Sequence, residues 1–343
     1  MGLLHDVTCV IHVHSTHSDG TGTVPEIAAA AAHNGVDVVL LTDHDTLAAR
    51  RGGEERWHGE VLVLVGEEVT PKNRDHYLAF GLDREVSRRQ AAAGIVSDVA
   101  ERGGFGFAAH PFSRGSDRFS RIAGMPWTDF DCDGLAGLEV WSFVTDTADR
   151  LSSIPDIARF IATPQRVLDH PPERNMAEWD RLCGLRRVVG IAGLDAHQVG
   201  YRVRGRVPVR LMSYRRSFRF LRTHVMCEEP LGGEVERDRA LVFGALREGR
   251  CYMSVDSLAP PRGFAFSANG GELPMGAEAP FAGQTLSAAT PRPARLRLIR
   301  NGREIAAAEG SALEHEAVEP GVYRIDVRLG ERTWILSNPI YLR

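Results

Sequence analysis

The strongest constraint on this chain is where its histidines and acids fall: they gather where short apolar runs stop. The first run, Val7–Val13, carries His12 and His14 at its end, and Asp19 follows in a Ser-Asp-Gly turn. Side chains two apart on a strand share a face, so both imidazoles can reach one point beyond its C-terminal end. Alone, such a pair reads as two ordinary polar residues closing a strand. The pattern repeats, however. Val36–Leu41 leads into Thr42-Asp43-His44-Asp45, and Val61–Val65 into Gly66-Glu67-Glu68, with His76 opening the run after it. Gly104–Ala109 leads into His110, and Val188–Gly193 into Asp195 and His197. Five strand ends thus deliver nine candidate ligands: His12, His14, Asp19, His44, Glu68, His76, His110, Asp195 and His197. Each could be a satisfied structural group; their convergence on one edge of a fold argues for a site.

The runs Tyr77–Gly81, Gly137–Phe143 and Leu221–Cys227 also read as strands. Helical composition or periodicity marks Pro25–His33, Gln90–Arg102, Asn175–Cys183 and Arg237–Gly249. Alternating strands and helices with continuously apolar strands predict an α/β fold on a mainly parallel sheet, open or closed into a barrel. A chain of 343 residues has room for one large barrel and a small second domain. The text changes near Ala259-Pro260-Pro261 to short alternating runs, with a hairpin signal at Asn301-Gly302. The expected division is residues 1–257 for the metal-bearing domain and 258–343 for an all-β, sandwich-like domain. That second domain holds none of the nine positions, so a stabilising or access-shaping role is expected of it. Residues 129–134 and 164–174 read as loops.

Several classes are disfavoured. No run approaches the roughly 20 apolar residues of a membrane span, and the start has no leader-like pattern, so a cytoplasmic protein is expected. A net charge of -4 offers no general attraction for nucleic acid. The five cysteines form no C-x-x-C pair and read as buried free thiols.

Nine ligands exceed the three protein ligands and water of a catalytic zinc. Two or three divalent ions sharing a carboxylate fit better, and imidazole with carboxylate suits Zn, Mn or Fe. Such clusters carry out hydrolysis.

The ordered motifs His12-Val13-His14-Ser15, Ser18-Asp19-Gly20, Thr42-Asp43-His44-Asp45, Gly66-Glu67-Glu68, Ala109-His110-Pro111 and Asp195-Ala196-His197 resemble those of the PHP (polymerase and histidinol phosphatase) superfamily over residues 7–256. The resemblance implies a distorted (β/α)7 barrel, up to three metals, ligands at all nine positions with Glu68 bridging, and phosphoester hydrolysis. Arg222-Thr223-His224, Gly249-Arg250-Cys251-Tyr252 and the run Trp334–Tyr341 are similar to a PHP branch with a C-terminal β domain. That branch includes carbamate-ester hydrolases.

The expected activity is that of a phosphoesterase on a small molecule, in which a hydroxide bridging two metal ions attacks phosphorus. The alternatives are carbamate, ester or amide hydrolysis at the same centre, and a non-enzymatic scaffold. His17 and Asp45 are candidate catalytic groups, and Asp43 or Asp45 a candidate for orienting a ligand imidazole. Arg114 and Arg202 are candidate substrate contacts, together with Arg118, Arg204, Arg206 and His224. Converging arginines would favour phosphate, whereas a wall of Phe112, Trp141 and Phe143 would favour a neutral ester.

Overall fold

Runs that are apolar throughout can be buried on both faces, and the computed structural model shows this for the central strands. It describes residues 4–115, 124–150, 153–163, 169–198 and 212–343. The first ten strands are β1 (His5–Val13), β2 (Val38–His44), β3 (Arg56–His58), β4 (Val61–Val69), β5 (Tyr77–Phe80), β6 (Phe105–Ala108), β7 (Gly137–Ser142), β8 (Val189–Gly193), β9 (Leu221–Cys227) and β10 (Cys251–Val255). The later strands are β11 (Ala265–Ala268), β12 (Leu273–Pro274), β13 (Glu278–Ala279), β14 (Thr285–Arg300), β15 (Arg303–Glu316), β16 (Gly321–Leu329), β17 (Arg332–Ser337) and β18 (Ile340–Leu342). The helices are α1 (Val24–His33), α2 (Ala48–Arg51), α3 (Ala92–Glu101), α4 (Phe143–Ala148), α5 (Ile154–Ala162), α6 (Glu173–Leu185), α7 (Tyr214–Ser217) and α8 (Val235–Glu248). Every residue of β4 is buried. Helix α1 starts where the Thr23 N–H donates to Glu26 at 2.8 Å, and α8 stops at Gly249, whose φ of 76° favours glycine.

The architecture is mixed α/β, and less parallel than expected. Strands β1, β2 and β4 pair in parallel, as do β6, β7 and β8. Strand β5 runs against both β4 and β6, because residues 70–76 are too few for the crossover of about a dozen residues that a parallel neighbour needs. On the other side, β9 lies antiparallel to β1, and β10 to β9. The sheet curls but does not close along its length. Strands β8 and β1 meet only at their C-terminal ends, through the Val13–Ala196 bridge.

The sheet also continues past residue 257, because β10 pairs with β17. Beyond it, β14 lies between β15 and β16, and β16 pairs with β18. These strands enclose their own core, including Leu296, Leu298, Tyr323, Ile325 and Trp334, to which Tyr252 of β10 contributes. Helices α4 (Phe143–Ala148) and α5 (Ile154–Ala162) form where no helix was expected, and α6 begins two residues before the expected Asn175. All five cysteines are buried free thiols. Among the described residues, no helix is long and apolar enough to cross a membrane.

Candidate metal centre

The strand ends β1, β2, β4, β6 and β8 bring the nine side chains together. Strand alternation is not what aligns His12 with His14. The register with β2 shifts between Ile11 and Val13, and His12 sits at φ 66°. His110 and Asp195 also have positive φ, at 29° and 51°. Left-handed backbone at non-glycine residues is costly and concentrates at functional sites, where the surroundings over-determine it.

Glu68 is the hub. Its Oε2 lies 3.3 Å from His12 Nε2, 3.4 Å from His14 Nε2 and 3.0 Å from His44 Nδ1. Its Oε1 lies 2.9 Å from His76 Nδ1 and 3.2 Å from His110 Nε2. Asp195 Oδ1 is 3.4 Å from His12 Nε2, His14 Nε2 and His197 Nδ1. Asp19 Oδ1 is 3.1 Å from His197 Nε2 and 3.5 Å from His44 Nε2. Four overlapping groups result, each with its ligand atoms within 4.8 Å of one another: His14-Asp19-His44-His197, His12-His110-Asp195, His12-His14-Glu68 and Glu68-His76-His110.

These residues fit divalent cations on two independent grounds. Buried atoms at the centre of the cluster (His12 Nε2, both His14 ring nitrogens, His44 Nδ1, His110 Nδ1 and Glu68 Oε2) have no hydrogen-bond partner. Polar atoms in an interior are normally paired, and cations held in the overlapping groups would give such atoms partners. The second ground is charge. Burial alone would raise the carboxyl pKa values, yet His12, His110 and His44 hold Glu68 well below its usual range, and His12 and His197 do the same for Asp195. Burial disfavours the His12 and His44 cations, but Glu139 and Glu68 for the first, and Asp19 and Glu68 for the second, outweigh it. His12 is held well above its ordinary value and His44 is raised to about 10. His14 goes the other way, pushed to about 4 by burial and by His197. Without an ion, the carboxylates are balanced by protons on these histidines, a positive charge that divalent cations would supply instead.

The remaining expectations fare differently. His17 lies at the rim, with Nε2 2.5 Å from Glu54 Oε2. Asp45 is engaged elsewhere: its carboxylate accepts from Thr70 N–H at 2.9 Å, Thr70 Oγ1 at 2.6 Å and Arg88 at 3.1 Å. The structure therefore assigns Asp45 to holding the chain after β4, a correction to its expected place among the catalytic groups. Asp43 orients no imidazole either. It accepts from the Ser15 N–H and hydroxyl at 2.7 Å and from Ser18 Oγ at 2.5 Å, fixing the loop between His14 and Asp19.

His224 is fully buried away from the cluster, between Asp6 (2.7 Å) and Asp256 (3.2 Å) and stacked on Tyr252, so its expected substrate contact is also corrected. Arg114 is exposed on the segment after His110, where its N–H is held by Asp149 at 3.1 Å. Arg118, Arg202, Arg204 and Arg206 lie outside the described residues. Of the aromatic wall, Trp141 and Phe143 are buried in the core, and Phe112 stacks on Phe130 beneath Arg174.

Sequence reasoning missed Glu139. Fully buried on β7, it sits 3.1 Å from His12 Nδ1 and accepts the His110 N–H at 2.5 Å. Gly193 makes room for it, since a Cβ there would lie 1.7 Å from Glu139 Oε1. A lone acid inside an apolar strand was the available signal, because a buried charge needs a partner. Tyr214 was missed as well. Its hydroxyl lies 2.7 Å from the His14 carbonyl and 3.0 Å from that of His197, joining two ligand-bearing segments.

No family model matches the chain. It is 25% identical over 140 residues to an uncharacterised protein of Methanocaldococcus jannaschii, covering 36% of this chain and 77% of that one. It is 33% identical over 100 residues to a phosphoribosyl 1,2-cyclic phosphate 1,2-diphosphodiesterase of Eggerthella lenta, covering 27% of this chain and 36% of the enzyme. Among solved structures, a two-domain protein of Bacteroides vulgatus, described as containing a predicted PHP-like metal-dependent phosphoesterase, aligns over 98% of this chain and 95% of its own. That match has 16% identity and a TM-score of 0.48.

Proposed function

We propose that this chain, PHP-like in the order of its motifs, is a metal-dependent hydrolase that acts on a small-molecule phosphoester. The observation that carries the reading is Glu68, whose two oxygens face different histidines and so belong to two ligand groups at once. A single ion does not need such a carboxylate; a cluster of two or three Zn, Mn or Fe ions does. When bound, the ions supply Lewis acidity toward phosphoryl oxygens and lower the pKa of water. The reading places the nine ligands on a distorted (β/α)7-type scaffold formed by residues 1–257. The phosphodiesterase activity named for the Eggerthella relative favours phosphorus over carbonyl carbon. The burial of Trp141 and Phe143 removes most of the wall expected for a neutral ester.

The chain's own groups divide the remaining work. Glu139 accepts a hydrogen bond from the His12 Nδ1–H, leaving Nε2 as the ligand atom. Asp43 shapes the loop that presents Asp19 and His17. His17, oriented by Glu54, exchanges a proton with the leaving oxygen through Nδ1. Arg114 and Arg202 remain the proposed anion contacts.

The test is hydrolysis after reconstitution with Mn²⁺ or Zn²⁺. An aryl phosphate or phosphodiester should be cleaved, with activity at background in His12→Ala and Asp195→Ala. Cleavage of carbamate or carboxyl esters alone would transfer the assignment to carbonyl chemistry, and equal rates in the ligand variants would expose a contaminant. His17→Ala should lower kcat with metal content unchanged; an unchanged kcat removes His17 from the mechanism.

A further inference from the structure

Among the described residues, the edge of β8 that faces away from β7 has no strand beside it for most of its length, yet its polar groups are paired. At its C-terminal end β1 is the neighbour: the Leu194 N–H donates to the Ile11 carbonyl at 2.9 Å and the Ala196 N–H to the His12 carbonyl at 3.1 Å. Further down, β1 pairs with β9 instead, from Cys9 back to His5, and the two edges part.

Three side chains occupy the gap. Thr223 Oγ1 of β9 accepts the Ala192 N–H at 3.0 Å and donates to the Ala192 carbonyl at 2.9 Å. Asn338 Oδ1 accepts the Gly190 N–H at 2.7 Å, while its Nδ2 donates to the carbonyls of Gly190 at 2.8 Å and Cys251 at 2.9 Å. The Tyr341 hydroxyl accepts the Val188 N–H at 3.1 Å. Residues 188, 190, 192 and 194 are alternate positions, the ones whose N–H groups a strand on this side would have met. Asn338 and Tyr341 are each 1% exposed, so bulk water does not reach these bonds. The run Trp334–Tyr341, set apart in the sequence without any chemistry assigned to it, thereby gains a task.

We infer that Asn338 and Tyr341 are positioning residues for the metal centre, standing in for the strand that β8 lacks and so holding the segment that delivers Asp195 and His197. This rests on the metal-dependent reading above. Residues beyond 258 then contribute no ligand but complete the scaffold of two, a larger part than the stabilising role expected from sequence. Unpaired N–H groups in a dry interior favour local opening, which would loosen both ligands while leaving Glu68, His76 and His110 on their own strands.

The experiment uses the full chain with Asn338→Leu, similar in shape but without polar groups, and Tyr341→Phe, which removes one hydroxyl and serves if the first variant fails to fold. Leu298→Ala, in the core of the later strands, is the control for general destabilisation. Hydrogen exchange is followed by mass spectrometry on the metal-free protein, and Zn²⁺ affinity by titration. The expected result is faster exchange across residues 188–198 and about a tenfold weaker affinity for the ions that share Asp195. Leu298→Ala should lower Tm without either change. Unchanged exchange at 188–198 in both variants would overturn the strand replacement, and faster exchange with unchanged Zn²⁺ affinity would overturn the link to the ligands. If the unsubstituted chain bound no metal, the hydrolase reading itself would fall, a result visible before any variant is compared.

Discussion

Replacing Glu139 by Gln should weaken metal binding by ten- to a hundredfold while leaving the fold intact. The carboxylate receives two buried donors, the His12 ring at 3.1 Å and the His110 N–H at 2.5 Å. A glutamine oxygen can accept one of them, but its NH2 group then faces the other. Losing one hydrogen bond to a charged group costs about 1.5–3 kcal/mol. Carboxylates that support a ligand histidine are worth about 10–100-fold in metal affinity, or roughly 1.4–2.8 kcal/mol, so the two routes agree. Gly193→Ala reaches the same carboxylate from the other side, because its Cβ would lie 1.7 Å from Oε1 and must displace it. The assay is calorimetric titration of the metal-free protein with Zn²⁺ or Mn²⁺, together with thermal melts in the absence of metal. Both variants should lose affinity. If metal affinity stays within about twofold of the parent while only the metal-free Tm falls, Glu139 is a fold residue and its assigned role is wrong.

Glu68→Ala should lower bound metal by more than one equivalent, since its oxygens face five histidines; elemental analysis showing the loss of a single ion would refute bridging. Stability should fall as pH rises from about 6.5 toward 9. Burial opposes the His224 cation, but Asp256 and Asp6 raise its pKa to about 9. A cation favoured by folding contributes fully below the unfolded pKa and loses its contribution on the way to the folded one, a change on the order of 3 kcal/mol. His224→Gln should flatten that slope in pH-dependent melts, and an unaltered slope would show that another group causes it. Arg324→Met should cost about 3–5 kcal/mol, because Arg324 on β16 is buried and pairs in fork geometry with Asp180 on α6 at 3.0 Å; a change in denaturation free energy below about 0.5 kcal/mol would mean the pair contributes nothing net.

The sequence by itself determined where the nine clustered histidines and acids sit. Continuous apolar runs such as Val61–Val65, too short for helices, read as buried strands, and a histidine or acid where such a run ends is delivered to that edge of the sheet. The change to hairpin-forming strands after Pro261 was legible for the same reason, since alternation and Asn-Gly turns are local signals. Tertiary structure alone decided which polar group serves which. Glu139 is 127 residues from His12, and Asn338 is 148 from Gly190. Asp43 and Asp45, adjacent to His44, were the natural choices for its support, yet their partners are Ser15 and Thr70. Such pairings depend on the register between distant strands, on the bulge that turns His12, and on the seam where β1 leaves β8 for β9. A residue's type and its neighbours in the chain carry no record of those choices, because they are made by whichever distant group lies within hydrogen-bond reach once the sheet has formed.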